Sequence, residues 1–289
     1  RRGRAVYAVY LDLKKAYPSV HLDALWPLLK HMGLPDKMVN FFTHYYGKRS
    51  AQCDVNGTLS PAYPTDKGVP EGASTSPIFW ILFFESLSRY LNSLPAYRGV
   101  TIDGLTIKDL HYVDDTSALG EDADQAQVVL TAAYTWGQAW GLQLSPGSEK
   151  TAVQRIAAHE SAAVRDAKFN TLAAAPLSVG NDPVPWVREY KYLGFRVRDD
   201  LSTEGFANAL HRKLGHHLHR LFTYNKAIRR CSIKFQLQLL STFAISTVAY
   251  LIGIVKLTAA DIAPMDAAIR NTARNILGLP GKTPAELVT

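Results

Sequence analysis

The sequence contains few cysteines and no long apolar run, and each absence excludes a class of protein. Its two cysteines, Cys53 and Cys231, stand apart in 289 residues, with neither a metal-binding spacing nor a disulfide framework. That usage suits a reducing compartment and excludes a disulfide-stapled secreted scaffold. No apolar stretch is long and uninterrupted enough to span a bilayer, and no signal peptide is recognisable. We therefore expect an intracellular protein without a membrane partner.

The chain also lacks an initiator methionine. It opens with three arginines among residues 1–4, directly before a core-like strand, which indicates a fragment of a longer protein. With 47% hydrophobic residues it can bury a sizeable core and form one large or two small domains. Helical and strand-like stretches alternate irregularly, so the pattern predicts an α+β fold rather than a doubly wound sheet.

Positive charge is in excess only in the last third of the chain. The formal net charge is +7, and from Leu201 onward there are eleven Lys or Arg residues against four Asp or Glu. In the first 200 residues the two signs cancel. This asymmetry suggests that a C-terminal module holds a polyanion. An ordinary basic surface is the alternative interpretation.

Three carboxylates are placed where they could meet. Asp12 follows an apolar run at residues 5–11 that is typical of a buried strand, and a lone carboxylate there is costly without a cation or hydrogen bonds. Asp114 and Asp115 interrupt a second strand-like stretch and suit a tight turn between strands. If the two strands are neighbours, the hard oxygen ligands that Mg²⁺ prefers converge. The alternative is a solvated Asp-Asp turn.

Other stretches are assigned from their patterns. Residues 36–50 are predicted to be helical, with the apolar stripe Met38, Val39, Phe41, Phe42 and Tyr45 in the core. Residues 67–77 form a Gly- and Ser-rich loop that enters a helix, where backbone N–H groups and the positive end of the helix dipole are exposed. Residues 157–185, rich in Ala and Pro, are predicted to be a loop insertion.

The order of these motifs resembles that of the reverse transcriptase domain, over nearly the whole chain. Residues 10–17 resemble the family's motif A, residues 68–77 motif B, and the sequence Tyr-Val-Asp-Asp at 112–115 motif C. Residues 141–151 are similar to motif D, and residues 192–194 to motif E, the primer grip. The stretches between motifs A and B, and the tail, are most like retrotransposons without long terminal repeats.

The resemblance implies a right-hand polymerase fold. The palm would be an antiparallel sheet backed by helices, with part of the fingers, over residues 1–198, and residues 21–66 would be that fingers part. A helical, basic thumb would cover residues 199–289. Fingers motifs that precede motif A are missing, so we expect this chain alone to be weakly active or inactive.

The resemblance also implies roles for individual residues. Asp12, Asp114 and Asp115, with the Leu13 backbone carbonyl, would bind two Mg²⁺ ions, with Mn²⁺ as an alternative, and Lys150 would act on the departing pyrophosphate. Tyr17 would exclude a 2′-hydroxyl. The implied substrates are an RNA template, a DNA primer and dNTPs. Further residues fall into three groups: nucleotide binding, Lys15, Ala16, Tyr17, Glu71 and Gly72; primer grip, Tyr192, Leu193 and Gly194; nucleic-acid binding, Arg212, Lys213, Arg220, Arg229 and Arg230.

One departure keeps alternatives open. Motif B usually has Gln where this chain has Glu71, and an ionised Glu can only accept hydrogen bonds beside a triphosphate. A catalytically impaired scaffold that binds nucleic acid is therefore the second hypothesis. A nucleotidyl cyclase, which shares the two-metal chemistry but needs neither a basic thumb nor a primer grip, is the third.

Overall fold

The computed structural model describes residues 3–280 apart from 66, 71, 204, 225–226, 254 and 256. The chain divides into two compact units, Arg1–Leu201 and Ser202–Thr289. The predicted boundary, after residue 198, lies three residues from this division. The palm, fingers and thumb assignments of these units stay predictions.

The first unit mixes helices and strands. Its helices are α1 (Ala16–Ser19), α2 (Leu22–His31), α3 (Asp36–Gly47), α4 (Ser76–Ser93), α5 (Ala123–Trp140) and α6 (Ala162–Ala173). Its strands are β1 (Val6–Leu11), β2 (Ser50–Ala51), β3 (Asp54–Val55), β4 (Thr58–Leu59), β5 (Tyr63–Pro64), β6 (Val100–Ile102), β7 (Leu105–Ile107), β8 (Asp109–Tyr112), β9 (Asp115–Gly120), β10 (Ala152–Ile156), β11 (Leu177–Val179), β12 (Asp182–Val184), β13 (Trp186–Val187), β14 (Glu189–Tyr192) and β15 (Phe195–Arg198).

A five-stranded sheet in the order β13-β10-β1-β9-β8 forms the centre of this unit. All its neighbours are antiparallel except β10 and β13. Successive side chains of β1 point to opposite faces. Val9 and Leu11 join the large core cluster with α2, α4 and α5, whereas Ala8 and Tyr10 pack with Tyr190 in a smaller one. Burial on both faces explains the continuous apolar run. The predicted α+β fold, with an antiparallel sheet backed by helices, is confirmed.

The prediction of a loop at residues 157–185 was wrong, because α6 and the hairpin β11–β12 lie there. No residue of α6 is fully buried, although the half-buried Phe169 and Leu172 pack against the large core cluster. Charged contacts also hold the helix. Arg165 lies 3.8 Å from Asp199, and Lys168 donates to Glu160 at 2.6 Å. Composition alone does not reveal the pairing of Arg165 with Asp199, because the two residues are distant in sequence.

Glu160 is the centre of this charged cluster and yields a stability prediction. Its side chain is 11% exposed, and hydrogen bonds from Arg155, at 2.6 and 2.8 Å, lower its pKa to about 2. A depressed pKa in the folded state stabilises the fold above the unfolded pKa, and this stability is lost as pH falls toward the folded value. We expect Glu160→Gln to lower the free energy of unfolding by about 2 kcal/mol at pH 7. Urea unfolding should show this difference shrinking from pH 4.5 toward pH 2.

Glu85→Gln is the matched control for that experiment. Glu85 pairs with Arg89 at 3.2 Å, but both side chains are about half exposed. Exposed pairs of this kind contribute about 0.5 kcal/mol or less. Equal losses in the two variants would mean that the Glu160 cluster does not stabilise the fold.

The second unit is helical in its described part. Its helices are α7 (Phe206–His219), α8 (Ile233–Leu239), α9 (Ser246–Ile252) and α10 (Ala259–Leu277), with π-helical turns at Arg220–Tyr224 and Leu240–Ile245 and a 3₁₀ turn at Ile228–Arg230. Leu210, Leu214 and Leu218 of α7 are buried, as their helical spacing predicts. A capping box between Thr258 and Asp261 begins α10.

One segment of this unit bears on the membrane prediction. Ile233–Ile252 is long and apolar enough, by length and composition, to cross a membrane. The prediction that no stretch of the chain could span a bilayer was therefore wrong. A single helix of this kind is weak evidence, because a core helix passes the same test. Gln236, Leu240, Ala244, Val248 and Leu251 are buried here, on the repeat of a helix face that packs within the unit.

Candidate active site

Asp12 directly follows β1, and its main chain is held from both sides. The Asp12 N–H donates to the Thr151 hydroxyl at 3.1 Å, and that hydroxyl donates to the Asp12 carbonyl at 3.2 Å. The same carbonyl accepts from the Ser145 N–H at 2.9 Å. Thr151 is fully buried. Because these bonds fix the backbone, the Asp12 carboxylate projects from a rigid position at the end of the strand.

The hairpin of β8 and β9 carries the other two carboxylates. Its turn consists of Val113 and Asp114, and Asp115 begins β9 opposite Tyr112. Leu11 pairs with Thr116, so the end of β1 brings Asp12 next to Asp115. This register places Asp12 beside Asp115, and Asp114 precedes Asp115 in the turn. The three carboxylates therefore lie at one edge of the sheet, as predicted. The predicted turn is displaced by one residue, because only Asp114 belongs to it.

Val113 adopts an unusual backbone conformation in this turn. Its φ is 59°, which is an outlier for a β-branched residue and costs about 1–3 kcal/mol. The fully buried indole of Trp80, on α4, donates to the Val113 carbonyl at 2.9 Å. This bond ties the turn to the core helix, which stabilises the strained conformation. Sequence reasoning did not identify this support from Trp80, because only the fold brings Trp80 to residue 113.

The carboxylates influence one another electrostatically. Burial raises the pKa of Asp115, the charges of Asp114 and Asp12 raise it further, and Lys150 opposes them. The Lys150 ammonium lies 3.1 Å from Asp12 Oδ1. Repulsion of this kind is relieved by a cation, and Lys150 supplies one positive charge at the edge of the cluster.

The donor set fits a hard divalent cation, since carboxylate and carbonyl oxygens are the ligands that Mg²⁺ prefers. Across the described residues, however, no three His, Cys, Asp or Glu side chains are grouped closely enough to hold a metal ion. The structure thus shows three neighbouring acidic groups, in which burial and then the charges of Asp114 and Asp12 raise the pKa of Asp115, and Lys150 lies 3.1 Å from Asp12. Metal binding there stays a prediction.

Among the predicted nucleotide-binding residues, Tyr17 lies near this edge. Lys15 precedes α1 with φ 48°, Ala16 is buried, and the ring of Tyr17 stacks on Trp80 at a centroid distance of 5.5 Å. Burial raises the pKa of Tyr17, and Asp114 raises it further. Both effects place the phenol close to the acidic cluster. Gly72 has φ 84°, and Glu71 lies outside the described residues.

The loop of motif B is attached directly to the segment that carries Tyr17. The Gly68 N–H donates to the Val20 carbonyl at 2.8 Å, and the Val69 N–H donates to the Tyr17 carbonyl at 3.0 Å. Arg49 fixes the loop from the other side, through a 2.8 Å bond to the Gly68 carbonyl. The two motifs therefore form one hydrogen-bonded unit.

Strand β14, which leads into motif E, also contacts motif D. The Tyr190 hydroxyl donates to the Lys150 carbonyl at 2.6 Å, and its ring stacks on Tyr10 at 3.7 Å with an interplanar angle of 3°. The hairpin of β14 and β15 turns at Leu193 and Gly194, both with positive φ, as a type I′ turn requires. Sequence reasoning did not select Tyr190, because the resemblance to the primer grip begins only at Tyr192.

The predicted nucleic-acid-binding residues lie in the second unit. Arg212 and Lys213 are on α7, Arg220 begins a π-helical turn, and Arg229 and Arg230 form part of the 3₁₀ turn. All but Lys213 are exposed. The Lys213 ammonium lies 5.7 Å from the centre of the Tyr250 ring, and Arg229 Nε donates to the Phe222 carbonyl at 2.8 Å. Their contact with nucleic acid stays a prediction.

Comparison with known proteins identifies the family. A family model described as reverse transcriptase (RNA-dependent DNA polymerase) matches residues 1–197. The chain therefore belongs to the reverse transcriptase family, as the motif order predicted.

Among curated proteins, the chain is similar to two Pol polyproteins of R2 retrotransposable elements. It is 26% identical over 287 residues to the "Retrovirus-related Pol polyprotein from type-1 retrotransposable element R2" of Nasonia vitripennis, a match that covers 97% of this chain and 26% of the relative. It is 27% identical over 194 residues to the corresponding polyprotein of element R2DM from Drosophila melanogaster, which covers 66% of this chain and 17% of the relative. The chain thus spans about a quarter or less of these relatives.

Two telomerase structures are also similar. Apo telomerase from Candida tropicalis matches 69% of this chain and 35% of its own, with a TM-score of 0.45 and 13% identity. Telomerase from Candida albicans, in complex with a fragment of telomeric RNA, matches 98% of this chain and 49% of its own, with a TM-score of 0.39 and 12% identity. At TM-scores below 0.5 these likenesses add nothing to the fold assignment.

Proposed function

We propose that this chain is the RNA-directed DNA polymerase domain of a retrotransposon without long terminal repeats. It would add dNTPs to the 3′-hydroxyl of a DNA primer on an RNA template. The observation that carries this proposal is the convergence of Asp12, Asp114 and Asp115 at one sheet edge, beside Tyr17, in a member of the reverse transcriptase family. The names of the R2 relatives support a retrotransposon origin.

The acidic edge would hold the metal ions of the reaction. Asp12, Asp114 and Asp115, with the Leu13 carbonyl, are the oxygen donors available for two Mg²⁺ ions, or Mn²⁺ in their place. When bound, two such ions lower the barrier of in-line phosphoryl displacement by activating the attacking oxygen and neutralising the leaving group. Thr151 contributes by fixing the Asp12 backbone on both sides, so that the carboxylate needs no reorganisation when it acts.

Lys150 and Tyr17 would act on the two ends of the nucleotide. The Lys150 ammonium, already 3.1 Å from Asp12, carries the proton and charge that a departing pyrophosphate requires. The Tyr17 ring is fixed by Trp80 and presents a rigid wall beside Asp114. The arginines of the second unit would neutralise backbone phosphates without reading sequence.

Primer extension tests the proposal. The purified 289-residue chain, in excess over an RNA template with an annealed DNA primer, is incubated with Mg²⁺ and dNTPs, beside a version extended at its N-terminus to supply the fingers motifs that the resemblance implies. We expect the extended version to lengthen the primer well above the 289-residue chain. If neither version extends the primer while both bind it in a salt-sensitive manner, we would conclude that the chain is a catalytically impaired scaffold that binds nucleic acid.

Replacing Tyr17 tests the proposed steric wall. We expect Tyr17→Ala to reduce discrimination against ribonucleotides by about tenfold or more, since removal of the ring opens space for a 2′-hydroxyl. The ratio of kcat/KM for dNTP and rNTP measures this change. Tyr17→Phe keeps the ring and its stacking on Trp80, and should keep the discrimination. An unchanged ratio in the Ala variant would remove Tyr17 from this role.

A further inference from the structure

The outer face of α3 is more apolar and more exposed than the sequence predicts. We define this face, with the residue that follows the helix, as Lys37, Met38, Phe41, His44, Tyr45 and Lys48. The apolar stripe of this helix was predicted to be core, but only part of it is. Val39 is buried and Phe42 half-buried, whereas Phe41 and Tyr45 are 63% and 61% exposed. The prediction was wrong for Met38, Phe41 and Tyr45, because the helix has more apolar residues than one buried face can hold.

The two exposed rings are held in place from below. Phe41 contacts Phe42 edge-on, and Phe42 contacts the buried ring of Phe79 at a centroid distance of 4.8 Å. Tyr45 contacts the buried Tyr46 at 5.6 Å. Phe41 and Tyr45 are themselves nearly parallel, with centroids 6.3 Å apart and an interplanar angle of 12°. The outer face of α3 is therefore a preformed aromatic platform.

The charge around this platform has one sign. Residues 37–53 contain no Asp or Glu, while Lys37 and His44 are exposed on the same side of the helix as the rings, and the exposed Lys48 directly follows the helix. Within the described ranges no ion pair involves these three side chains, and the nearby Asp36 is paired with Lys30 at 2.8 Å. Lys37 and Lys48 therefore flank the aromatic pair and, among the described residues, have no acidic partner. This arrangement complements a flexible polyanion that carries flat apolar groups.

We propose that the outer face of α3 binds single-stranded nucleic acid. Bases would stack on Phe41 and Tyr45, and Lys37 and Lys48 would contact the phosphates on either side, which is how single strands are held without sequence readout. A duplex hides its bases within the stack and would gain only the charge contacts. The proposal goes beyond the polymerase function and does not depend on it, because it requires neither nucleotide nor metal.

Binding of labelled RNA by the whole chain tests this proposal. Fluorescence anisotropy measures the affinity for an unstructured RNA of 20 nucleotides and for a blunt duplex of the same length, without dNTPs or metal. We expect Phe41→Ala/Tyr45→Ala to weaken single-strand binding about tenfold or more, and duplex binding less than twofold. Lys37→Gln/Lys48→Gln should reduce the slope of log K against log salt by about 1.4 for the single strand.

The matched control is Ile78→Ala/Ile81→Ala, which removes two comparably exposed apolar side chains from α4. It should change neither affinity. Photo-crosslinking of RNA that contains 4-thiouridine to the unmodified chain gives a second measurement, and crosslinks should fall within residues 37–48. The proposal is overturned by equal single-strand affinity of the ring variant and the unmodified chain, or by crosslinks confined to other residues.

Discussion

Asp114→Asn is expected to reduce primer extension by about a thousandfold while the affinity for template–primer stays within about threefold. The substitution keeps the size of the side chain and removes its negative charge. Asp114 lies in the turn of the β8–β9 hairpin, and its charge contributes to the raised pKa of Asp115. Losing it should remove a proposed metal ligand without disturbing the turn, because the Val113 carbonyl remains bonded to Trp80.

Asp103→Asn is the matched control for Asp114→Asn. Asp103 also lies in a tight turn, between β6 and β7, and it has φ 48°. It should leave extension unchanged. Single-turnover extension rates and anisotropy binding curves provide the two readouts. If Asp114→Asn loses binding as strongly as extension, the carboxylate is structural and its assignment to catalysis is wrong.

Gly68→Ala is expected to give the largest loss of stability, about 3–5 kcal/mol, since a strained φ and a steric clash add. Gly68 has φ 80°, and a Cβ there would lie 2.7 Å from Cα and 2.8 Å from O of Pro18. The obstacle is backbone, which cannot rotate away as a side chain can. The same backbone leads into the Tyr17 segment, so we also expect nucleotide addition to fall in any protein that remains folded.

Gly57→Ala separates the two contributions. Gly57 has φ 82°, nearly the same as Gly68, but a Cβ there meets nothing within 4 Å. It should cost only the strain, about 1–2 kcal/mol. Urea unfolding at neutral pH measures both variants. If their losses are equal, the close approach of motif B to Pro18 does not limit the fold.

Short-range patterns predicted the carboxylates well and their supports poorly. The apolar run before Asp12 and the Asp114–Asp115 pair were sufficient to predict one acidic edge. The turn itself was misplaced by one residue, because no turn rule places Val113 at positive φ. The bond that makes this possible comes from Trp80, and contacts across that distance in sequence depend on the fold.

Burial was harder to predict than periodicity. The helix at residues 36–47 was predicted correctly, yet Phe41 and Tyr45 of its apolar stripe face outward. In the opposite direction, α6 was taken for a loop, because ion pairs and the half-buried Phe169 and Leu172, rather than a fully buried stripe, hold it. Spacing identifies a helix face, but it does not say what that face meets.

The hydrogen bond from Tyr190 to Lys150 connects strand β14 to the residues that hold Asp12. One hydroxyl joins β14 to the main chain of Lys150, whose ammonium reaches Asp12, and the next residue, Thr151, holds the Asp12 backbone. A displacement of the β14–β15 hairpin would therefore act on the Asp12 carboxylate through these contacts. If that hairpin binds a primer, a misaligned primer end would also displace the acidic edge. Nucleotide addition would then depend on the geometry of the primer end.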